Sequence, residues 1–212
     1  MLAKSGVPWV FIGRDLPKAK GAAGFAKYDY APATTAFAER CTECGIRKVL
    51  QVSLYPWCAD ASRELRRCGV VCKKLEIPFD LFGGTPEDAQ RATMKAFEEI
   101  IERDGTEALG DAVYFTDDNA AQGALAAFSQ FGVRMPEDVG CVTWANVGHG
   151  PVYWRSLARL EMDPVAHGEA FSAAVLNLLS GRPFPSDFRL GPVWRDGETL
   201  CKRSMKAKGR KR

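Results

Sequence analysis

Four predicted strands end in side chains that could hold a small ligand. The candidate ligand-binding residues at these ends are Tyr55, Trp57, Phe82, Asp117, Asp118, Trp144 and Asn146. Aromatic rings stack on flat or apolar ligand faces, while carboxylates and amides form hydrogen bonds with hydroxyl groups. Because open parallel sheets bind ligands beyond the carboxyl ends of their strands, we expect a site for a small polyhydroxylated or flat molecule.

The same residues also have a purely structural interpretation. It assigns Tyr55, Trp57 and Trp144 to the core and makes Asp117 or Asp118 the cap of the following helix. Either interpretation fits any one residue. The repetition of the pattern at successive strands favours the ligand site for the set as a whole.

Acid–base catalysis has few candidates, because the chain contains only two histidines. His149 lies in a glycine-flanked loop without a partner carboxylate or cysteine nearby, and His167 falls on a predicted helix, where a surface position is expected. Neither a Gly-Lys-Ser/Thr phosphate loop nor a Gly-x-Ser-x-Gly nucleophile motif is present. We therefore assign no catalytic residue and predict that the chain is not an enzyme.

The cysteines predict neither a redox centre nor a metal site. Cys41 and Cys44 have the spacing of a redox pair, but they fall at a predicted helix C-terminus, where the dipole disfavours a thiolate. Cys68 and Cys72 are not spaced as a second zinc-binding pair. We expect both pairs to be structural, and we assign no metal and no cofactor.

Hydrophobic periodicity predicts an α/β fold with parallel sheets, because short apolar runs alternate with amphipathic stretches. The predicted strands are 7–12, 47–54, 70–77, 112–116 and 139–144. The predicted helices are 33–44, 59–67, 85–104, 119–131 and 165–179. A glycine follows each of these helices closely, which is typical of helix C-termini.

The composition is that of a soluble chain of the cytoplasm. The 212 residues are 46% hydrophobic and 26% charged, and no apolar stretch approaches the length of a membrane span. Seven cysteines, an odd number, fit a reducing compartment. Seven basic residues in 202–212 form a tail that we expect to be solvated and disordered rather than bound to nucleic acid.

Two motifs resemble the effector-binding domain of LacI/GalR-type transcription regulators. Residues 113–128 give an apolar strand, an acidic pair and a helix with Gly-Ala, and residues 131–146 give Gly-Val-Arg-Met-Pro-Glu-Asp and a strand ending in Trp-Ala-Asn. Leu157–Gly168 and Leu190–Thr199 resemble the family's returning and closing segments. The resemblance extends over nearly all of residues 6–200.

This resemblance implies a periplasmic-binding-protein-like domain with two lobes, of which the first is incomplete. The implied divisions are 1–28 in the first lobe, 29–148 in the second, 149–185 returning to the first, 186–201 closing the second, and the tail. It further implies a small-molecule effector bound between lobes, a homodimer, and DNA contact only through a helix-turn-helix that the sequence does not contain. The exposed apolar surface of an incomplete lobe would favour association.

The resemblance transfers to the ligand site only in part. The family's Asn-Asp pair falls on Asp117 and Asp118, so a carboxylate replaces the amide. Asn146 follows Ala145, which occupies the position of an acid that binds ligand in the family. The resemblance adds Arg66, three residues before a glycine, and Asp29 to the candidate set. The effector is expected to be a small polar metabolite of sugar-like chemistry. A stand-alone binding protein and, more remotely, an enzyme of the same fold are the alternatives.

Overall fold

The computed structural model describes residues 6–14, 21–55, 59–80 and 82–201. Its strands are β1 (Val10–Gly13), β2 (Gly24–Tyr28), β3 (Lys48–Ser53), β4 (Val71–Glu76), β5 (Ala112–Phe115), β6 (Gly140–Asn146), β7 (Ala158–Met162), β8 (Phe188–Leu190) and β9 (Val193–Arg195). Its α-helices are α1 (Ala31–Glu43), α2 (Ser62–Arg67), α3 (Pro86–Asp104), α4 (Asp118–Gln130) and α5 (Pro164–Leu179). The alternation of strands and helices confirms the predicted α/β class.

The chain divides into two compact units. Unit 1 contains the described residues up to Tyr30 together with Met162–Pro192, and unit 2 contains Ala31–Glu161 with the described residues from Val193 onward. The sequence instead predicts that the chain crosses from one lobe to the other after residues 28, 148 and 185. The difference arises because β7 lies next to β6 in the sheet of unit 2, whereas β8 pairs with β2 in the sheet of unit 1.

Unit 2 is built on a six-stranded sheet in the order β4-β3-β5-β6-β7-β9. Its β4, β3, β5 and β6 pair in parallel, and β9 pairs antiparallel with β7. Successive strand residues point to opposite faces. Val113 and Phe115 accordingly join the core on the side of α3 and α4, while Ala112 and Tyr114 join the core with residues of α1 and α2.

Two helix ends in unit 2 have the geometry that their sequence predicts. Thr85 Oγ1 accepts a hydrogen bond from the Asp88 amide, and the Asp88 carboxylate accepts one from the Thr85 amide, which makes a capping box before α3. After α4, Gly132 adopts a φ of +65°, which L residues with side chains rarely adopt. These caps fix where each helix meets the loops at the sheet edges.

The second predicted helix begins three residues later than expected, at Ser62. The buried Gln51 side chain on β3 accepts a hydrogen bond from the Ala61 amide (3.0 Å), and the buried Tyr114 hydroxyl on β5 donates to the Ala59 carbonyl (2.9 Å). Residues 59–61 are therefore tied to the sheet instead of forming a helical turn. The loop that follows β3 is anchored by side chains from two strands.

Unit 1 has a three-stranded parallel sheet in the order β1-β2-β8, with α5 contributing to its core. The small core is formed around Ala26, Ala174, Phe184 and Leu190. Among the residues of α5 only Ala174 is buried. Apolar side chains along the other side of the helix are exposed, namely Val165, Leu176 and Leu179.

Candidate ligand-binding site

Tyr55 lies at the carboxyl end of β3 among the predicted ligand-binding residues. Its half-buried ring packs edge-on against Phe79, with ring centroids 6.0 Å apart. Burial raises the pKa of the Tyr55 hydroxyl, and the negative charges of Asp117 and Asp118 raise it further. The structure therefore brings the ends of β3, β4 and β5 together as predicted.

Asp117 is both a helix cap and a member of this edge. Its Oδ1 accepts hydrogen bonds from the amides of Asn119 (2.9 Å) and Ala120 (3.2 Å), so it caps α4. Burial is the main reason why the pKa of the Asp117 carboxyl is raised, and the neighbouring charge of Asp118 acts in the same direction. The capping interpretation is thus correct for Asp117, and Asp118 is left as the first residue of α4.

Asp118 is held by an amide rather than by a cation. Its Oδ1 accepts a hydrogen bond from Asn119 Nδ2 (3.3 Å), and Asn119 Oδ1 accepts one from Gln90 Nε2 on α3 (3.3 Å). Neither Asp117 nor Asp118 forms an ion pair with a described basic residue. Asp117 and Asp118 lie at the carboxyl edge of the sheet, and we call this part of the molecule the acidic edge. Its carboxylate oxygens could accept further hydrogen bonds.

Phe82 is exposed to solvent after β4, and hydrogen bonds to Asp80 hold its backbone and that of Gly84. The Asp80 carboxylate accepts a hydrogen bond from the Phe82 amide (3.0 Å), and the Asp80 carbonyl accepts one from the Gly84 amide (2.9 Å). A Cβ on Gly84 would lie 2.6 Å from that carbonyl, so the close turn requires glycine. The ring of Phe82 is 98% exposed and makes no contribution to the core.

Four further residues of the predicted set, Asn146, Trp144, Asp29 and Trp57, are found in different parts of the chain. Asn146 ends β6 at the same edge, and Trp144 is half-buried against the core on the α1 side, which favours a packing role. Asp29 belongs to unit 1, where Arg189 forms an ion pair with it. Trp57 lies outside the described residues.

Arg66 is not at the carboxyl edge of the sheet. It lies in the last turn of α2, from which the chain passes directly into the amino end of β4. The amino ends of parallel strands lie at the opposite edge of a sheet. Arg66 is exposed there, and the geometry does not support the role that the resemblance suggested.

The histidines and the described cysteines lie outside this site. His149 is exposed, and His167 is half-buried on α5. The six cysteines in the described part of the chain are free thiols; burial raises the pKa of Cys41, and it raises that of Cys141 to about 12. Among the described residues, no three or more His, Cys, Asp or Glu side chains are arranged to hold a metal ion.

Unit 2 has a concave surface away from these residues, which we call the Trp154 hollow. It has a volume of about 340 Å³ and an apolar floor that includes Phe128, Val133 and Met135. Trp154 stands at its rim, 73% exposed, with the Arg155 guanidinium 4.2 Å from the ring centroid. No pattern in the sequence indicates this surface, because it joins residues at and after the end of α4 to a loop more than 20 residues further along the chain.

The fold defines an α/β protein with two units, each built on a sheet whose strands pair mainly in parallel. The chain belongs to the periplasmic binding protein-like domain family, whose family model matches residues 34–199. This match and the likeness to solved regulator structures confirm the predicted fold class and the resemblance to LacI-type regulators. No curated protein matches the chain in sequence.

Solved structures of LacI family regulators share the fold. One from Bifidobacterium animalis is 15% identical, with a TM-score of 0.70 over 92% of this chain and 69% of its own. One from Arthrobacter sp. FB24, in complex with lactose, is 18% identical and has a TM-score of 0.70. The match covers 91% of this chain and 70% of the Arthrobacter chain. A sugar-binding regulator from Enterococcus faecalis is 18% identical and has a TM-score of 0.70. The match covers 94% of this chain and 72% of the Enterococcus chain.

Asn119 and Gln90 are parts of this site that the sequence does not predict. Asn119 follows the acidic pair directly, but its side-chain partner Gln90 is 29 residues away on another helix. An amide in the first turn of a helix gives no indication by itself that it orients a neighbouring carboxylate. Only the packing of α3 against α4 shows the connection.

Proposed function

We propose that this chain is the effector-sensing part of a bacterial transcription regulator and that its effector is a small, polar, sugar-like metabolite. The observation that carries the proposal is the convergence of Tyr55, Asp117 and Asp118 at the strand ends of unit 2. The exposed ring of Phe82 adds a stacking surface after β4. Membership of a binding-protein family supports binding as the function.

The arrangement suits a ligand with hydroxyl groups along one edge and an apolar face. Carboxylates accept two or more hydrogen bonds each, and a ring such as that of Phe82 packs against C–H groups or a flat heterocycle. The Arthrobacter relative binds lactose in its crystal, and the Enterococcus relative is described as sugar-binding. We extend this ligand class to the present chain.

We propose that the signal is a shift between two conformations, which an effector produces only if it binds one of them more tightly. In this proposal a helix-turn-helix domain outside the given sequence contacts DNA. The odd number of cysteines, seven in the chain, supports a reducing, cytoplasmic location. Among the described residues, no helix combines the length and apolar character that crossing a bilayer would require.

The proposed activity is binding without catalysis. This is supported by the relatives of known structure that share the fold, which are transcription regulators. The alternative is a stand-alone binding protein without a DNA-binding partner domain. Sequencing the gene upstream of Met1 distinguishes the two, because an in-frame helix-turn-helix supports the regulator.

Replacing Asp118 with alanine is expected to weaken effector binding while leaving the fold intact. A hydrogen bond to a charged group contributes about 1.5–3 kcal/mol, so affinity should fall about 10- to 100-fold. The stability loss should be about 0.3–1 kcal/mol, since Asp118 is an acid in the first turn of α4 that favours the helix dipole, and its side-chain hydrogen bond joins it only to the next residue of the same helix. Calorimetric titration with lactose, and with the best compound from a panel of sugars, polyols and nucleosides, measures the affinity.

Glu87→Ala is the matched control, because Glu87 is a carboxylate in the first turn of α3. It should leave the affinity unchanged. A panel without any binding compound, or equal affinities for the wild type and Asp118→Ala, would contradict the assignment of this edge as the effector site.

We also propose that the functional assembly is a homodimer formed through the Trp154 hollow. The same patch presents a projecting indole beside an apolar cavity, so two copies related by a two-fold axis can each insert Trp154 into the other. The hollow carries charges of both signs, and they are neutralised within the chain, since Arg134 pairs with Asp138 and Arg155 with Glu137. Exposed Trp and Arg side chains are the types enriched at interface hot spots.

Trp154→Ala is therefore expected to convert a dimer into a monomer. Loss of a hot-spot tryptophan costs about 2 kcal/mol or more, which weakens the dimer at least about 30-fold. Light scattering coupled to size exclusion, over a concentration series, gives the mass of each species. Phe82→Ala removes another exposed aromatic and should not change the mass. A monomeric wild type, or a Trp154→Ala protein that dimerises normally, would rule out this interface.

A further inference from the structure

Helix α3 reaches the acidic edge through a chain of two side-chain amides. Gln90 Nε2 donates to Asn119 Oδ1, and Asn119 Nδ2 donates to Asp118 Oδ1, each over 3.3 Å. The Asn119 backbone amide donates to Asp117 Oδ1 over 2.9 Å. Asn119 therefore contacts both carboxylates, and its side-chain oxygen is bound by Gln90 of α3.

The direction of this chain follows from the hydrogen-bonding capacity of each group. An ionised carboxylate only accepts hydrogen bonds, whereas a primary amide has two donors on nitrogen and an acceptor oxygen. The nitrogen of Asn119 must therefore face Asp118, and its oxygen is left to accept from Gln90. Rotating the Asn119 amide by half a turn would place two acceptors against each other at the Asp118 end.

The backbone around Gln90 is fixed by close packing. A side chain at Gly123 of α4 would overlap the Gln90 carbonyl, so the two helices are in contact at this level. Helix α3 also begins at a capping box directly after the turn that carries Phe82. One helix thus connects the aromatic and the acidic parts of the edge.

We propose that Asn119, oriented by Gln90, is a positioning residue of the ligand-binding site that holds the Asp118 carboxylate in one rotamer. A carboxylate that is already ordered loses less conformational entropy when a ligand binds. The role of Asp118 in ligand binding rests on the proposed function. The ordering of Asp118 by Asn119 and Gln90 does not, and it can be measured in the free protein.

The test uses nuclear magnetic resonance on the ligand-free chain, with Asn119→Ala and Gln90→Met as variants. Methionine keeps the length of glutamine without its amide. We expect three-bond Hα–Hβ couplings of Asp118 that report one rotamer in the wild type and rotamer averaging in both variants. The Asn119 side chain is one of the donors that lower the pKa of Asp117, so a carboxyl titration should show that pKa shifted upward in Asn119→Ala.

Gln130→Met is the control, because Gln130 is exposed at the other end of α4. It should reproduce the wild-type couplings and pKa. Unchanged Asp118 couplings in both variants, or equal averaging in the control, would overturn the proposal. If Asn119→Ala does not fold, Gln90→Met on the other helix decides it alone. Because no effector is present, a failed effector screen would bear on the proposed function and not on this result.

Discussion

Gly123→Ala should destabilise the protein, whereas the same substitution at Gly168 should stabilise it. Both glycines lie inside helices, and a Cβ at Gly123 would overlap the carbonyl of Gln90, while one at Gly168 would meet nothing within 4 Å. Overpacking of a tight contact costs about 1–3 kcal/mol. An unstrained Gly→Ala change inside a helix gains about 0.5–1 kcal/mol.

Amide hydrogen exchange measures this pair of effects, since it reports α4 and α5 separately. Exchange should become faster in α4 of Gly123→Ala and slower in α5 of Gly168→Ala. Equal protection of α4 in the wild type and Gly123→Ala would mean that α3 and α4 do not approach as closely as the structure shows.

Phe97→Ala is expected to produce the largest loss of stability, about 3–5 kcal/mol, because it empties a site in the centre of a core. The Phe97 side chain is fully buried between α3 and the sheet, with ring centroids 5.6 Å from Phe115 and 5.4 Å from Phe128. Urea denaturation followed by circular dichroism gives the free energy of unfolding.

Phe82→Ala is the comparison for this result, because it removes the same ring from a position that is 98% exposed. Its unfolding free energy should equal that of the wild type, while its affinity for the effector should fall. Comparable losses of stability in Phe97→Ala and Phe82→Ala would show that Phe82 packs against the protein in solution and is not available to bind a ligand.

The regular elements of unit 2 could be predicted because local chemistry determines them. The predicted third helix ends at Asp104, as α3 does, since Thr85, Pro86 and Asp88 start the helix and Gly105 stops it. The strand β2 was not predicted. Its sequence, Gly24-Phe-Ala-Lys-Tyr28, carries a glycine and a lysine inside a short run, and only its pairing between β1 and β8 makes it a strand.

The candidate site could be predicted only as far as the topology determines it. Asp117, Asp118 and Tyr55 come together because parallel strands end at one edge, and this rule needs no knowledge of side-chain packing. Arg66 was placed by resemblance alone, and the short helix before β4 carries it to the other edge. Gln90 depends on how two helices pack, which no local pattern in the sequence reveals.

The pairing of β7 with β9 has a consequence for protein engineering. Glu161 and Val193 are partners across this ladder, so the chain leaves unit 2 and re-enters it at neighbouring positions. In topological terms, residues 162–192 are an insertion within a β-hairpin. A two-residue type I′ turn such as Asn-Gly closes antiparallel strands of this kind. The insertion point therefore offers a natural place to excise that segment, or to exchange it for one from another member of the family, without cutting the sheet that carries the acidic edge.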